Sequence, residues 1–231
     1  MLADSRPAFC SGAAAAAYKV QHEEIGATVT LMARSKSPNP AVASNLRIVP
    51  VTPDRLDDLK VVMSQGGVAK HCWCAYWYAS NADYKAGWGN EGNRKPLTAR
   101  IERDERPGLI AYVGGAPAAW VSVGPRRSFD RLNRSKNFAE IDDIPVWSVN
   151  CFVVATPFHR HGLMQQLADA AADFAFECGA PAVESYPVDP GPRTGAGDLY
   201  LGTIRAFQAA GYDEVTRPLP RRAIMRKLAP R

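Results

Sequence analysis

The chain has 231 residues, enough for one sizeable domain with an appendage, and 46% are hydrophobic, the proportion of an ordinary globular protein. A formal charge of +5 suits an anionic small ligand, while the lack of a basic stripe interleaved with aromatics argues against nucleic acid. No run of about 18 apolar residues is present to span a membrane, and five scattered cysteines do not make a disulfide framework, which favours a reduced, cytoplasmic setting.

Residues 1–44 hold an alanine run at 13–17 and a Ser/Pro/Asn-rich stretch at 35–45, without an amphipathic period. They read as a poorly ordered N-terminal extension. Only Arg6 supplies positive charge before the alanine run, so a secretory signal is not expected. The folded domain is expected over 45–231.

Residues 46–51 alternate and are rich in β-branched side chains, as a first strand requires. Thr52-Pro53-Asp54 then offers a capping residue followed by proline at the first helical position. Leu56, Leu59, Val62 and Met63 form a helical apolar stripe that stops at Gly66-Gly67. An aromatic and cysteine-rich patch occupies 71–78, a loop 87–93, and a short charged helix 96–106. Strands at 109–113 and 118–123 flank Gly114-Gly115, a pair suited to a tight hairpin turn. Residues 129–138 are polar and irregular, and 146–154 form a long apolar strand.

The clearest helix is 163–178. Leu163, Leu167, Ala170, Ala171, Phe174 and Ala175 keep a 3.6-residue period, with Gln166, Asp169, Asp173 and Glu177 opposite, and Gly179 closes it. A strand at 182–186, a Pro/Gly-rich loop at 187–197, a helix at 203–210 and two strands near 212–215 and 223–228 complete the chain. Six basic residues between Arg217 and Arg231, without an acid among them, read as a solvated strand and tail. Strand–helix–strand units with a mid-chain hairpin imply an α/β fold: a central mixed β-sheet with helices on both faces.

Chemistry concentrates where the long strand meets the best helix. The basic turn His159-Arg160-His161-Gly162 leads straight into Leu163. Unpaired amides at a helix start, together with the helix dipole, favour an anion, and Gly162 allows close approach to the backbone. The physical reading is a pyrophosphate cradle.

From about Leu46 to Leu228 the chain resembles the GNAT superfamily of N-acetyltransferases. The resemblance lies in Val149-Asn150-Cys151-Phe152-Val153-Val154, in His159-Arg160-His161-Gly162-Leu163-Met164, and in Phe207-Gln208-Ala209-Ala210-Gly211-Tyr212. A narrower likeness, to a bacterial subgroup of undefined substrate, lies in His71-Cys72-Trp73-Cys74, residues 107–112, Gly124-Pro125-Arg126 and residues 184–189. The resemblance implies an acyltransferase that moves an acetyl group from acetyl-CoA to an amine by direct attack in a ternary complex. Phe152, Val153, Val154, His159, Arg160, His161, Gly162, Leu163, Met164 and Phe207 are then the coenzyme A contacts. Three departures stand out. His159 replaces a leading Arg or Gln, Met164 replaces a small residue, and Phe207 stands where many members carry a tyrosine acid.

An alkyl amine, with a pKa of about 10, must lose a proton before attack. Glu184, in the strand after the helix, is the expected base, ahead of Asp142 and Asp143. Tyr200 or Tyr186 is the substitute acid. Trp73, Tyr76, Arg126 and Tyr186 are expected around the acceptor. Cys151 reads as a core thiol in preference to an acyl carrier. Cys-x-Cys beside His71 supplies at most three ligands, so no metal is expected. Two other classes stay open: a non-catalytic acyl-CoA-binding regulator, and a thiol or metal sensor built on Cys72 and Cys74. The expected partners are acyl-CoA and an amine acceptor, with no nucleic acid or membrane, in a monomer or homodimer.

Overall fold

Seven strands form one mixed sheet in the order β1-β2-β3-β4-β5-β7-β6. They are β1 (Leu46–Pro50), β2 (Gly108–Val113), β3 (Ala116–Pro125), β4 (Trp147–Val154), β5 (Ala182–Ser185), β6 (Asp213–Leu219) and β7 (Arg222–Leu228). The computed structural model describes residues 45–65, 67–192 and 194–230; the extension expected at 1–44 lies outside them. Only β4 and β5 run parallel, and every other neighbouring pair is antiparallel. Gly114 and Gly115 both take positive φ, 58° and 84°, as the tight β2–β3 turn requires.

Among the described residues eight α-helices accompany the sheet: α1 (Leu56–Ser64), α2 (Ala69–Cys72), α3 (Ala75–Tyr78), α4 (Asn81–Ala86), α5 (Lys95–Glu102), α6 (Asp130–Asn133), α7 (Leu163–Glu177) and α8 (Ile204–Ala209). Thr52 does not cap α1 through its side chain. A 3-10 turn at Pro53–Arg55 intervenes, and Thr52 Oγ1 accepts from Arg55 instead. A longer 3-10 turn, Ala196–Leu201, closes the Pro/Gly-rich loop, whose composition does not announce it.

Strand alternation splits the interior into two cores, one on each face. One core gathers Val149, Phe152, Leu167, Phe174 and Phe207 beneath α7 and α8. The other gathers Leu59, Trp73, Trp77, Trp120 and Tyr186 beneath the shorter helices. Each large apolar side chain fully buried in this way contributes about 1.5–3 kcal/mol. β2 lies very close to β3 at Gly108: a Cβ there would meet Val121 O at 2.1 Å and the Trp120 ring at 2.5 Å. The position therefore admits only glycine without backbone movement.

The C-terminal basic run is less solvated than its composition implied. β6 is exposed, but Arg226 on β7 is only 9% exposed. Burial of that guanidinium is possible because carboxylates face it on two sides, as described below.

Candidate active site

β4 does not stay paired with β5. The parallel ladder joins Trp147 to Val183, Ser148 to Glu184 and Val149 to Ser185, and ends there. On its other side β4 carries an extra residue. Ser122 pairs with Cys151 and Val123 with Val149, which leaves Asn150 as a bulge. A bulge bends its strand and increases local twist. From Asn150 to Val154 the β4 edge facing β5 has no strand partner, and Cys151, Phe152, Val153 and Val154 of that stretch line a cleft.

The cleft holds about 930 Å³ and draws its walls from both faces of the sheet. At one end lie Phe152, Val154, His159, Arg160, Leu163 and Met164. Gly162 also lines it, with φ 77°, and Arg160 has φ 65°. Two left-handed residues so close together turn the chain sharply into α7. The first helical amide to bond back is Gln165 N–H, to Gly162 O at 3.1 Å. The amides of Leu163 and Met164 precede it and have no carbonyl within the helix. His159 Nε2 lies 2.9 Å from Val154 O, which ties the turn to the strand end.

At the other end the wall is aromatic and thiol-rich: Cys72, Cys74, Tyr76, Tyr84, Cys151 and Tyr200, with Trp73 and Trp77 beside them. The chain reverses between α2 and α3 through two successive left-handed residues, Trp73 (φ 47°) and Cys74 (φ 56°). Each such non-glycine residue costs on the order of 1–3 kcal/mol. Core burial of Trp73 and Cys74 offsets that cost. Tyr76 meets Tyr84 edge-on at 5.7 Å and Tyr200 at 6.4 Å. Burial, then the neighbouring Tyr76, pushes the Tyr200 phenol up to about 12. A hydrogen bond with Cys74 and burial hold the Cys151 thiol well above its usual range. A thiol so protonated is a poor acyl carrier. Among the described residues no group of three or more His, Cys, Asp or Glu side chains can hold a metal ion.

Several expected site residues lie elsewhere. Glu184 does not line the cleft. It is 2% exposed; Arg226 Nη2 donates to its Oε1 at 2.7 Å and Tyr186 Oη donates to its Oε2 at 3.1 Å. A carboxylate occupied on both oxygens by donors, one of them a guanidinium, is not a free proton acceptor. Asp142, the weaker candidate base, completes the same network by accepting from Arg226 Nη1 at 2.6 Å. Arg126 is likewise interior, donating to Tyr186 Oη at 2.8 Å and Phe138 O at 2.6 Å. Arg126 and Tyr186 are therefore internal supports and do not face an acceptor. Phe207 stands behind the cleft wall, its ring 5.7 Å from Phe152 and 4.9 Å from Tyr212. His161 does not line the cleft; its Nδ1 is buried without a hydrogen-bond partner among the described residues. Trp73, Tyr76 and Tyr200 do face the cleft. Tyr84, Cys72 and Cys74 join them; Tyr84 lies beyond the aromatic patch at 71–78, and nothing in the sequence pattern singled it out.

The free edge of β4 and the glycine turn at the start of the next helix thus line one cleft. A family model described as the acetyltransferase (GNAT) family matches residues 73–202, more than half of the chain. The chain belongs to that family and is an acyltransferase. No curated protein matches the sequence. Similar solved structures include the GNAT domain of an S. lividans PAT protein, 16% identical over 79% of this chain and 90% of that one, TM-score 0.46. Another is a PaiA N-acetyltransferase from Thermoplasma acidophilum in complex with coenzyme A, 11% identical over 79% and 98%, TM-score 0.46. A third is YncA from Salmonella typhimurium with acetyl-CoA, 16% identical over 80% and 94%, TM-score 0.45.

Proposed function

We propose that the protein transfers an acetyl group from acetyl-CoA to an amine held in the aromatic end of the cleft. The unpaired β4 edge, running from Asn150 to the Gly162 turn, carries this reading. Its amide and carbonyl groups suit the two amides of a pantetheine arm. The Leu163 and Met164 amides, with Arg160 beside them, suit the pyrophosphate. Phe152, Val154 and Leu163 exclude water along the arm. The co-substrate supplies an acetyl thioester, and the amide of Val153 or Val154 is the donor we assign to its carbonyl oxygen. Tyr200 keeps its proton at neutral pH and is the side chain we assign to protonating the departing thiolate. His159 is tied to the strand end and belongs to the phosphate turn.

The test is calorimetric binding of acetyl-CoA followed by a thiol-release assay over an amine library. Binding with turnover supports the reading, and the absence of binding overturns it. Binding with no turnover for any amine favours a non-catalytic acyl-CoA sensor.

A further inference from the structure

The aromatic end of the cleft contains no carboxylate among the described residues. Its polar groups are the phenols of Tyr76, Tyr84 and Tyr200 and the thiols of Cys72, Cys74 and Cys151. Burial raises Tyr84, Tyr200 and Cys72 above their ordinary values, and with its bond to Cys74 it raises Cys151 further. The charged groups near this wall face away or are satisfied. Asp83 on α4 accepts from Ser80, and Glu184 is held by Arg226. The charge of Arg222 offsets part of the rise that burial causes at Tyr200, and Arg131 lies over the Tyr76 ring at 3.8 Å.

This chemistry disfavours an ordinary ammonium acceptor. An alkyl amine with a pKa of about 10 arrives protonated, and a cation stripped of water without a counter-charge costs several kcal/mol. Ring faces recover only about 0.5–2 kcal/mol of that through cation–π attraction. The Tyr76 ring, moreover, already carries the Arg131 guanidinium. Nor is there a base in the wall to take the ammonium proton. An arylamine is uncharged at neutral pH, keeps its lone pair free, and presents a flat ring to rings set edge-on.

Resting on the acetyl-transfer reading above, we propose that the acceptor is a weakly basic amine on an aromatic body, of the arylamine class. The nitrogen lone pair forms the C–N bond at the acetyl carbon. The C–S bond breaks with its electron pair left on sulfur. The proton lost from nitrogen passes to that sulfur, with Tyr200 giving one proton and regaining another, so the products are the acetanilide and coenzyme A thiol.

Two isomeric amines test this on the full chain: 4-methylaniline and benzylamine, with spermidine as a polycation. The expected result is a kcat/KM at neutral pH at least about tenfold higher for 4-methylaniline than for the other two, a difference of roughly 1.4 kcal/mol. Calorimetry in the presence of coenzyme A should show 4-methylaniline binding more tightly than benzylamine. Cys72→Asp, which puts a carboxylate in the wall, should move the rate ratio about tenfold toward benzylamine while acetyl-CoA affinity holds. Benzylamine or spermidine turning over faster than 4-methylaniline overturns the acceptor class and leaves acetyl transfer standing. Acetyl-CoA binding with none of the three acetylated overturns the class as well. No acetyl-CoA binding at all overturns the underlying reading.

Discussion

Glu184 is a strand carboxylate whose sequence position suggested a base and whose surroundings make it half of an ion pair. What decides the matter is β7, which sets Arg226 against Glu184 across the ladder. Nothing in residues 182–186 announces that partner, because strand pairing 42 residues apart is not a local property. Removing one member of a buried pair costs about 3–5 kcal/mol. Glu184→Gln should therefore lower the thermal midpoint by roughly 6–20 °C, given about 2–4 °C per kcal/mol for a domain of this size. Scanning calorimetry reads that shift, and an unchanged midpoint with lost turnover would restore Glu184 as a base. Asp142 has a depressed pKa, first through its hydrogen bond from Arg226. Its contribution is fully present above the ordinary Asp value of about 3.9 and disappears as pH falls through the lowered value. The urea midpoints of wild type and Asp142→Asn should differ at neutral pH and converge in strong acid. Tyr200 was legible as the tyrosine before the last helix, and it does line the cleft. Tyr200→Phe should lower kcat on the order of a hundredfold, the low end for a positioned acid, with KM for acetyl-CoA unchanged in steady-state assays.

Among the elements, the 3.6-residue period of 163–178 and the Gly-Gly hairpin placed α7 and the β2–β3 turn within a residue or two of their observed ends. Those patterns are set by each element's own burial, so the sequence contains them. The Asn150 bulge was not legible, because it exists only in the offset between β3 and β4. The strand therefore read as one continuous run, although its two halves have different neighbours. The turn before α7 was legible as a glycine in a basic segment, and its φ of 77° gives the physical reason for that glycine. A β-branched side chain in the left-handed region costs on the order of 1–2 kcal/mol and would also crowd the Leu163 and Met164 amides. Gly162→Val should weaken acetyl-CoA binding about tenfold or more by calorimetry, with circular dichroism retained. Equal affinity would remove the turn from the phosphate site.

At the scale of the molecule, the order of strands fixes what can meet. The class of fold was readable from the alternation of strands and helices, but the meeting of α2–α4 with β4 and Tyr200 was not, since it depends on both cores closing on one sheet. The exposed edge β6 carries Pro218 and charged residues, features that discourage pairing with another chain. One cleft reaches from the start of α7 to the aromatic side, so a ligand seated at the Gly162 turn lies in the same enclosure as the indoles. Trp73 and Trp77 line that enclosure, and Trp73 Nε1 is buried without a hydrogen-bond partner among the described residues. Two of the chain's five tryptophans are thus built-in optical probes. Titration with acetyl-CoA should change the intensity or wavelength of intrinsic emission, and Trp73→Phe should diminish that change. The protein can in this way report occupancy of its cleft through its own light, with neither a label nor a reaction.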